Sequence, residues 1–130
     1  MKYVLDTDSI SFILRSEGRV AAEFARRRAG IIAVSIITFA ELHFGIDRSG
    51  AEHRRRDIDV LLGRITVLDF NQETARTYAK LAADLMRKGT PLEIHDTMIA
   101  AQAIAAKRTL VTHNTKHFSK VPGLQIEDWY

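Results

Sequence analysis

Short apolar runs rich in β-branched side chains recur along this chain, and helix-patterned stretches separate them. The runs are Lys2–Leu5, Ile31–Val34, Ile65–Leu68, Thr109–Thr112 and, more weakly, Leu124–Ile126. Runs this short suit strands better than helices. Between them lie helical patterns over Ser9–Arg15, Val20–Arg28, Ile36–Phe44, Glu52–Leu62, Thr74–Lys88 and Thr97–Lys107. The clearest is Thr74–Lys88, where Ala75, Tyr78, Ala79, Ala82, Leu85 and Met86 return at helical steps. Asn71 is its natural cap and Gly89 its stop, and Gly45 is placed to end the Ile36–Phe44 helix in the same way. Strands alternating with helices need crossover connections, which make a sheet mostly parallel and cover both its faces. The expected architecture is a three-layer α/β/α sandwich with a mostly parallel four- or five-stranded sheet, residues 1–130 forming one domain.

Against that frame three carboxylates stand out. Asp6 ends the run Tyr3-Val4-Leu5, Glu41 interrupts an apolar helical pattern between Ile37 and Phe44, and Asp96 lies between Leu92 and Ile99. No Lys or Arg lies within four residues of Glu41 or Asp96, so no local ion pair offsets their burial. A divalent cation held by hard oxygens would serve all three. In an open parallel sheet, ligands bind beyond the carboxyl ends of the strands. Asp6 follows the first strand, and His113 and Asn114 follow the fourth. Glu41 sits on the helix after the second strand, and Asp96 on the helix leading into the fourth. Four segments thus converge on one edge, with Asp6, Glu41 and Asp96 as metal ligands and Asn114 as a fourth site residue. Asp6 also suits helix capping, as does Asp96, whereas a mid-helix Glu41 has no capping task.

Composition narrows the chemistry. The chain has 130 residues with 46% hydrophobic and 27% charged side chains, the balance of a folded globular protein. Cysteine is absent, so disulfides and thiolate metal sites are excluded. No apolar run approaches a membrane span, and the charged opening is too short for a secretory signal, so the chain reads as cytoplasmic. A net charge of +3 with acids gathered at a metal leaves a basic remaining surface, which favours a polyanionic partner. Mg²⁺ or Mn²⁺ on clustered carboxylates suits hydrolysis of phosphodiesters. Two other readings compete. Asp6-Thr7-Asp8 also resembles the Asp-x-Asp start of haloacid-dehalogenase-type phosphatases, which would make Asp6 a nucleophile, but Ile10 and the stretch Val111–Asn114 lack the motif's later features. The runs Arg26–Arg28, Arg54–Arg56 and Lys107-Arg108 alternatively suggest a non-catalytic RNA-binding module, which would leave the three carboxylates without a purpose.

The stretches Val4–Asp8, Val34–Leu42, Asp96–Ala103 and Leu110–Asn114 resemble, in order, the four motifs of PIN-domain ribonucleases. Thr115–Leu124 followed by Glu127-Asp128-Trp129 resembles the VapC toxins of bacterial toxin–antitoxin pairs. The resemblance implies a Mg²⁺- or Mn²⁺-dependent endoribonuclease toxin acting on tRNA or ribosomal RNA. It implies inhibition by a VapB-type antitoxin, a homodimer, and a toxin–antitoxin hetero-oligomer. It carries the family's acidic positions onto Asp6, Glu41 and Asp96 and its fourth position onto Asn114. Thr38 and Thr112 are implied supports for the acids. Asp8 stands where Asn is frequent, adding a carboxylate that assists, and Pro91–His95 lacks the family's frequent glycine turn. Of the five histidines, His95 and His113 flank site residues, while His53 and His117 read as surface residues. Apolar residues on several sides of Ser9–Arg15 and Glu52–Leu62 suggest a groove for an antitoxin helix.

Overall fold

The computed structural model describes residues 1–130, and its sheet has five strands, all parallel, in the order β3-β2-β1-β4-β5. These are β1 (Tyr3–Leu5), β2 (Ile32–Ser35), β3 (Thr66–Leu68), β4 (Thr109–Val111) and β5 (Ile126–Glu127). The helices are α1 (Thr7–Leu14), α2 (Val20–Ala25), α3 (Ile36–Ser49), α4 (Arg55–Leu62), α5 (Gln72–Arg87), α6 (Ile94–Ala105) and α7 (Thr115–Phe118). Alternation along each strand sorts side chains into two cores. Tyr3, Leu5, Ile32, Val34 and Val111 pack with Ile10, Phe24, Leu42 and Ile58 from α1–α4. Val4 and Leu110 point the other way and meet Leu85, Ile99 and Phe118 from α5–α7. The sandwich is thus as expected, with a fully parallel sheet.

Several element bounds differ from the sequence reading, and one helix is additional. Gly45 does not end the helix carrying Glu41. That helix runs on because Ile46, buried one turn beyond Leu42, anchors it to the core, and it stops at Gly50, whose φ of 74° suits glycine. The last strand is Ile126–Glu127, set by pairing Leu110↔Ile126 and Val111↔Glu127. The short helix α7 has too few residues to show a periodicity and was not anticipated.

Position matters most around β1. From β1 the chain moves outward through β2 to β3, then returns across the sheet to β4 on the other side. The strand order therefore switches between β1 and β4, where the crevice of an open parallel sheet forms. Leu5 lies beside both Val34 and Val111, so the residues following all three strands emerge together.

Gln102, 3% exposed, ties this edge from beneath. Its Oε1 accepts from Ser35 Oγ at 2.9 Å and its Nε2 donates to the Asp69 carbonyl at 3.1 Å. Gln102→Leu keeps the volume but strands both partners, so urea unfolding should register a loss of roughly 1–3 kcal/mol. An unchanged midpoint would show that both groups find other partners.

Candidate active site

Asp6 follows β1 and caps α1, its Oδ1 accepting from the Ser9 amide at 2.9 Å. It is 6% exposed and has no Lys or Arg partner. Burial pushes its carboxyl above the usual range, against the pull of hydrogen bonds from the Thr112 hydroxyl and Ser9. Asp6 is thus both a helix cap and a buried carboxylate.

Glu41 reaches the same edge from α3, whose first turn is fastened by Ser35 Oγ accepting from the Ile37 amide at 3.0 Å. Thr7, directly after Asp6, donates its hydroxyl to Glu41 Oε1 at 2.6 Å and shares a 3.1 Å hydrogen bond with buried Thr38. Asp96 is the third residue of α6. Glu93 caps that helix, its carboxylate accepting from the amides of His95 and Asp96 at 2.9 and 3.1 Å. A side-chain cap thus starts α6 where a glycine turn was missing, and Asp96 is free of the capping task. Asp96 Oδ2 faces His117 Nε2 of α7 at 3.1 Å. Burial raises the Asp96 carboxyl, with His117 pulling it down. His95 Nδ1 lies 3.4 Å from Glu41 Oε2, joining α6 to α3.

The fourth segment follows β4. Buried Thr112 accepts from the Asn114 amide at 3.0 Å, which sets Asn114 beside Asp6 through a shared hydroxyl. The Asn114 side chain itself makes no capping bond and is exposed. Asp8 is exposed as well, and its charge raises the carboxyls of both Asp6 and Asp96. The residues expected to meet do gather at one edge, linked through Thr7, Thr112, Asp8 and two histidines.

The expectation of three carboxylates in apolar surroundings holds for Asp6 alone. Glu41 and Asp96 side chains are 31% and 36% exposed. Their apolar neighbours lie partly at the rim; Phe44, one turn from Glu41, is 63% exposed. His117, read as a surface residue, instead contacts Asp96, and Thr7 was not singled out. Thr7 was detectable from its place beside Asp6; the His117 contact depends on how α7 packs.

The donor set is one of hard oxygens, with no Lys or Arg bridging Asp6, Glu41 or Asp96, and this chemistry fits a divalent cation. As the side chains stand, no three acidic or imidazole groups converge on a metal-sized point. Glu41 is engaged by Thr7 and Asp96 by His117. Beside Glu41 opens a groove of about 650 Å³ between α1, α3 and α4, lined by Leu14, Arg15, Gly45, Ile46, Arg54 and Ile58 among others.

Residues 3–124 match the PIN domain family. The chain belongs to the PIN family. Its relatives include a Salmonella typhimurium protein named tRNA(fMet)-specific endonuclease VapC, 32% identical over 130 residues, covering 99% of this chain and 98% of that one. Ribonuclease VapC2 of Rickettsia felis is 37% identical over 99 residues, or 75% of this chain and 74% of the relative. The solved structure of VapBC2 from Rickettsia felis, bound to a DNA fragment from their promoter, matches with a TM-score of 0.92. Identity there is 30%, and both chains are covered in full. PIN-domain nucleases in general depend on divalent metal. Membership in this PIN branch leaves the phosphatase alternative without support. No helix is long and apolar enough to cross a membrane.

The fold also engages part of each basic run. Arg26 and Arg27 pair with Glu23, and Arg27 lies 4.2 Å over the Trp129 ring. Arg55 bridges Glu52 and Asp47. Arg108 donates to the carbonyls of Tyr3 and Ile31 at 3.3 Å. Each arginine run thus spends a member on structure, which weakens the case for a binding module built on those runs.

Proposed function

We propose that residues 1–130 form one nuclease domain, a Mg²⁺- or Mn²⁺-dependent endoribonuclease toxin that cuts cellular RNA in the cytoplasm and is restrained by a VapB-type antitoxin. The observation that carries this reading is the gathering of Asp6, Glu41 and Asp96, with no Lys or Arg bridging them, at the β1/β4 switch of a PIN fold. A tRNA substrate is supported by the name of the Salmonella relative. An antitoxin partner and a toxin–antitoxin hetero-oligomer are supported by the likeness to the Rickettsia VapBC2 structure, and the homodimer by the motif resemblance alone.

Asp6, Glu41 and Asp96 would hold the metal, which when bound supplies a Lewis acid for the scissile phosphate and lowers the pKa of the attacking water. Ser9 and Thr112 orient Asp6. Thr7, itself braced by Thr38, orients Glu41, and His117 orients Asp96. One of the carboxylates accepts the proton of the attacking water. Uncharged Asn114 contacts the substrate without adding repulsion, and Asp8 keeps the edge anionic until a cation binds.

Purified protein should cleave cellular tRNA or ribosomal RNA with Mg²⁺ or Mn²⁺ and stop when EDTA removes the ion. End-mapping of the fragments against an Asp6→Asn control identifies the cut. Cleavage that survives EDTA, or that the control shares, would defeat the assignment.

A further inference from the structure

Resting on the nuclease reading, we propose that His113 is the open end of an aromatic column on which an unpaired base of the RNA substrate stacks, beside the carboxylate cluster.

The column begins at Gly18. A Cβ built there would lie 2.8, 2.9 and 3.0 Å from three consecutive carbons of the Tyr130 ring. Near-equal distances to consecutive ring atoms put Gly18 over the face of the ring rather than at its edge. With φ at +64°, this position suits glycine twice over. His113 stacks on Tyr130 with centroids 4.1 Å apart and planes 17° from parallel. A ring that close covers one face fully, so Gly18 must occupy the other. Phe12 braces the pair side-on, at 4.9 Å from Tyr130 and 6.0 Å from His113, both edge-to-face.

Hydrogen bonds hold the two tiers in plane. His113 Nδ1 lies 3.0 Å from Asp128, which also accepts from the Tyr130 amide at 2.9 Å. Tyr130 donates its hydroxyl to Glu17 at 3.1 Å. Tyr130 is therefore sandwiched, whereas His113 has a ring on one face only, and its side chain is 48% exposed. No other aromatic ring stacks on His113. If the column served only to anchor Tyr130, Gly18, Phe12 and Glu17 would suffice, and a half-exposed imidazole with no ring on its second face would have no use.

Its place supplies the use. His113 lies between Thr112, whose hydroxyl serves both Asp6 and the Asn114 amide, and Asn114 itself. A base on His113 would sit next to the proposed reaction edge. Single-stranded RNA is commonly held this way, its splayed bases stacked on aromatic or histidine rings, and every base offers a π-face. The rings are organised before the substrate arrives, so little ordering opposes binding.

The test uses the full chain carrying His113→Ala or His113→Phe. Affinity for a fluorescein-labelled short single-stranded RNA is measured in an Asp6→Asn background, and KM and kcat in the otherwise native protein. His113→Ala should weaken RNA binding and raise KM by roughly tenfold, the scale of losing one stacked base, with kcat changed much less. His113→Phe keeps the planar face without the bond to Asp128, and should restore both values. Three results would overturn the proposal. One is unchanged binding in His113→Ala. Another is equal failure of both variants with a fall in kcat, which would assign the imidazole to hydrogen bonding or proton transfer. The third is equal failure with a matching drop in melting temperature, which would make the column an anchor only. Cleavage by the parent together with any of these sinks the stack alone. His113-dependent binding by a parent that cuts no RNA would keep the stack and sink the nuclease reading.

Discussion

Asp6→Asn is expected to abolish RNA cleavage, by about a thousandfold or more on the scale of losing a catalytic group, while making the metal-free protein more stable. Asparagine keeps an oxygen for the Ser9 amide, so the cap on α1 survives. What it removes is a buried charge. Because burial raises the folded-state carboxyl of Asp6 above its ordinary value of 3.8, the unfolded chain ionises first as pH rises. The unfolded state then binds fewer protons, and stability falls with pH from that ordinary value up to the folded one. Below this window parent and variant should melt together. Above it the variant should melt higher, on the order of 4 °C for each kcal/mol relieved. Divalent metal reverses the order by binding only the parent's carboxylates. At a hundredfold excess over its dissociation constant, Mg²⁺ or Mn²⁺ should stabilise the parent by about 2.7 kcal/mol. Asp96→Asn, which keeps an oxygen facing His117, should lose that gain together with cleavage. Melting curves with and without Mn²⁺ decide the matter, since equal shifts in parent and Asp96→Asn would leave no metal role for this residue.

Gly45→Leu should release the enzyme from its antitoxin without harming the enzyme. Gly45 lies within α3 and lines the groove that starts at Glu41. A Cβ added there meets nothing within 4 Å, so a leucine would project into the groove rather than into the fold. Replacing glycine inside a helix favours folding by roughly 0.5–1 kcal/mol. An amphipathic helix seated in this groove against exposed Leu14 would collide with the new side chain. Affinity for the co-expressed antitoxin should fall on the order of a hundredfold, as at an interface hot spot, with free nuclease activity retained. Copurification and inhibition assays read this directly. Full inhibition of a normally stable Gly45→Leu protein would place the partner elsewhere. The groove is narrower in apolar content than the sequence suggested. Ile10, Ile58, Leu61 and Leu62 are buried in the core, while Leu14 and Val60 stay exposed.

Much of this protein was legible in the sequence because its signals are local. A four-residue β-branched run, the 3.6-residue return of Leu85 and its neighbours, and Asn71 three residues ahead of Thr74 each act within one or two turns. They specify strand or helix wherever the element ends up. The alternation of types then forces a parallel sheet, and a parallel sheet forces its ligands to one edge, which is why Asp6, Glu41, Asp96 and Asn114 were found together. Burial was read less well. Apolar neighbours in sequence put Glu41 in the core, yet the helix meets the groove at that point and leaves it partly in water.

What tertiary structure alone decided lies between elements. No periodicity shows that β4 pairs with β1 rather than with β3, since the crossover through α5 and α6 is chosen by the two cores, not by local pattern. That choice creates the switch point and brings together residues far apart in the chain. Thr7 meets Glu41 only because α1 and α3 leave neighbouring strands, and His117 meets Asp96 only because α7 packs against α6's face of the sheet. The column of Gly18, Tyr130 and His113 draws on three distant segments and no local motif. Residue type and spacing determine which groups are available and on which edge they emerge; the packing of helices across the sheet determines which of them touch, because a side-chain contact depends on the relative placement of two elements that neither encodes by itself.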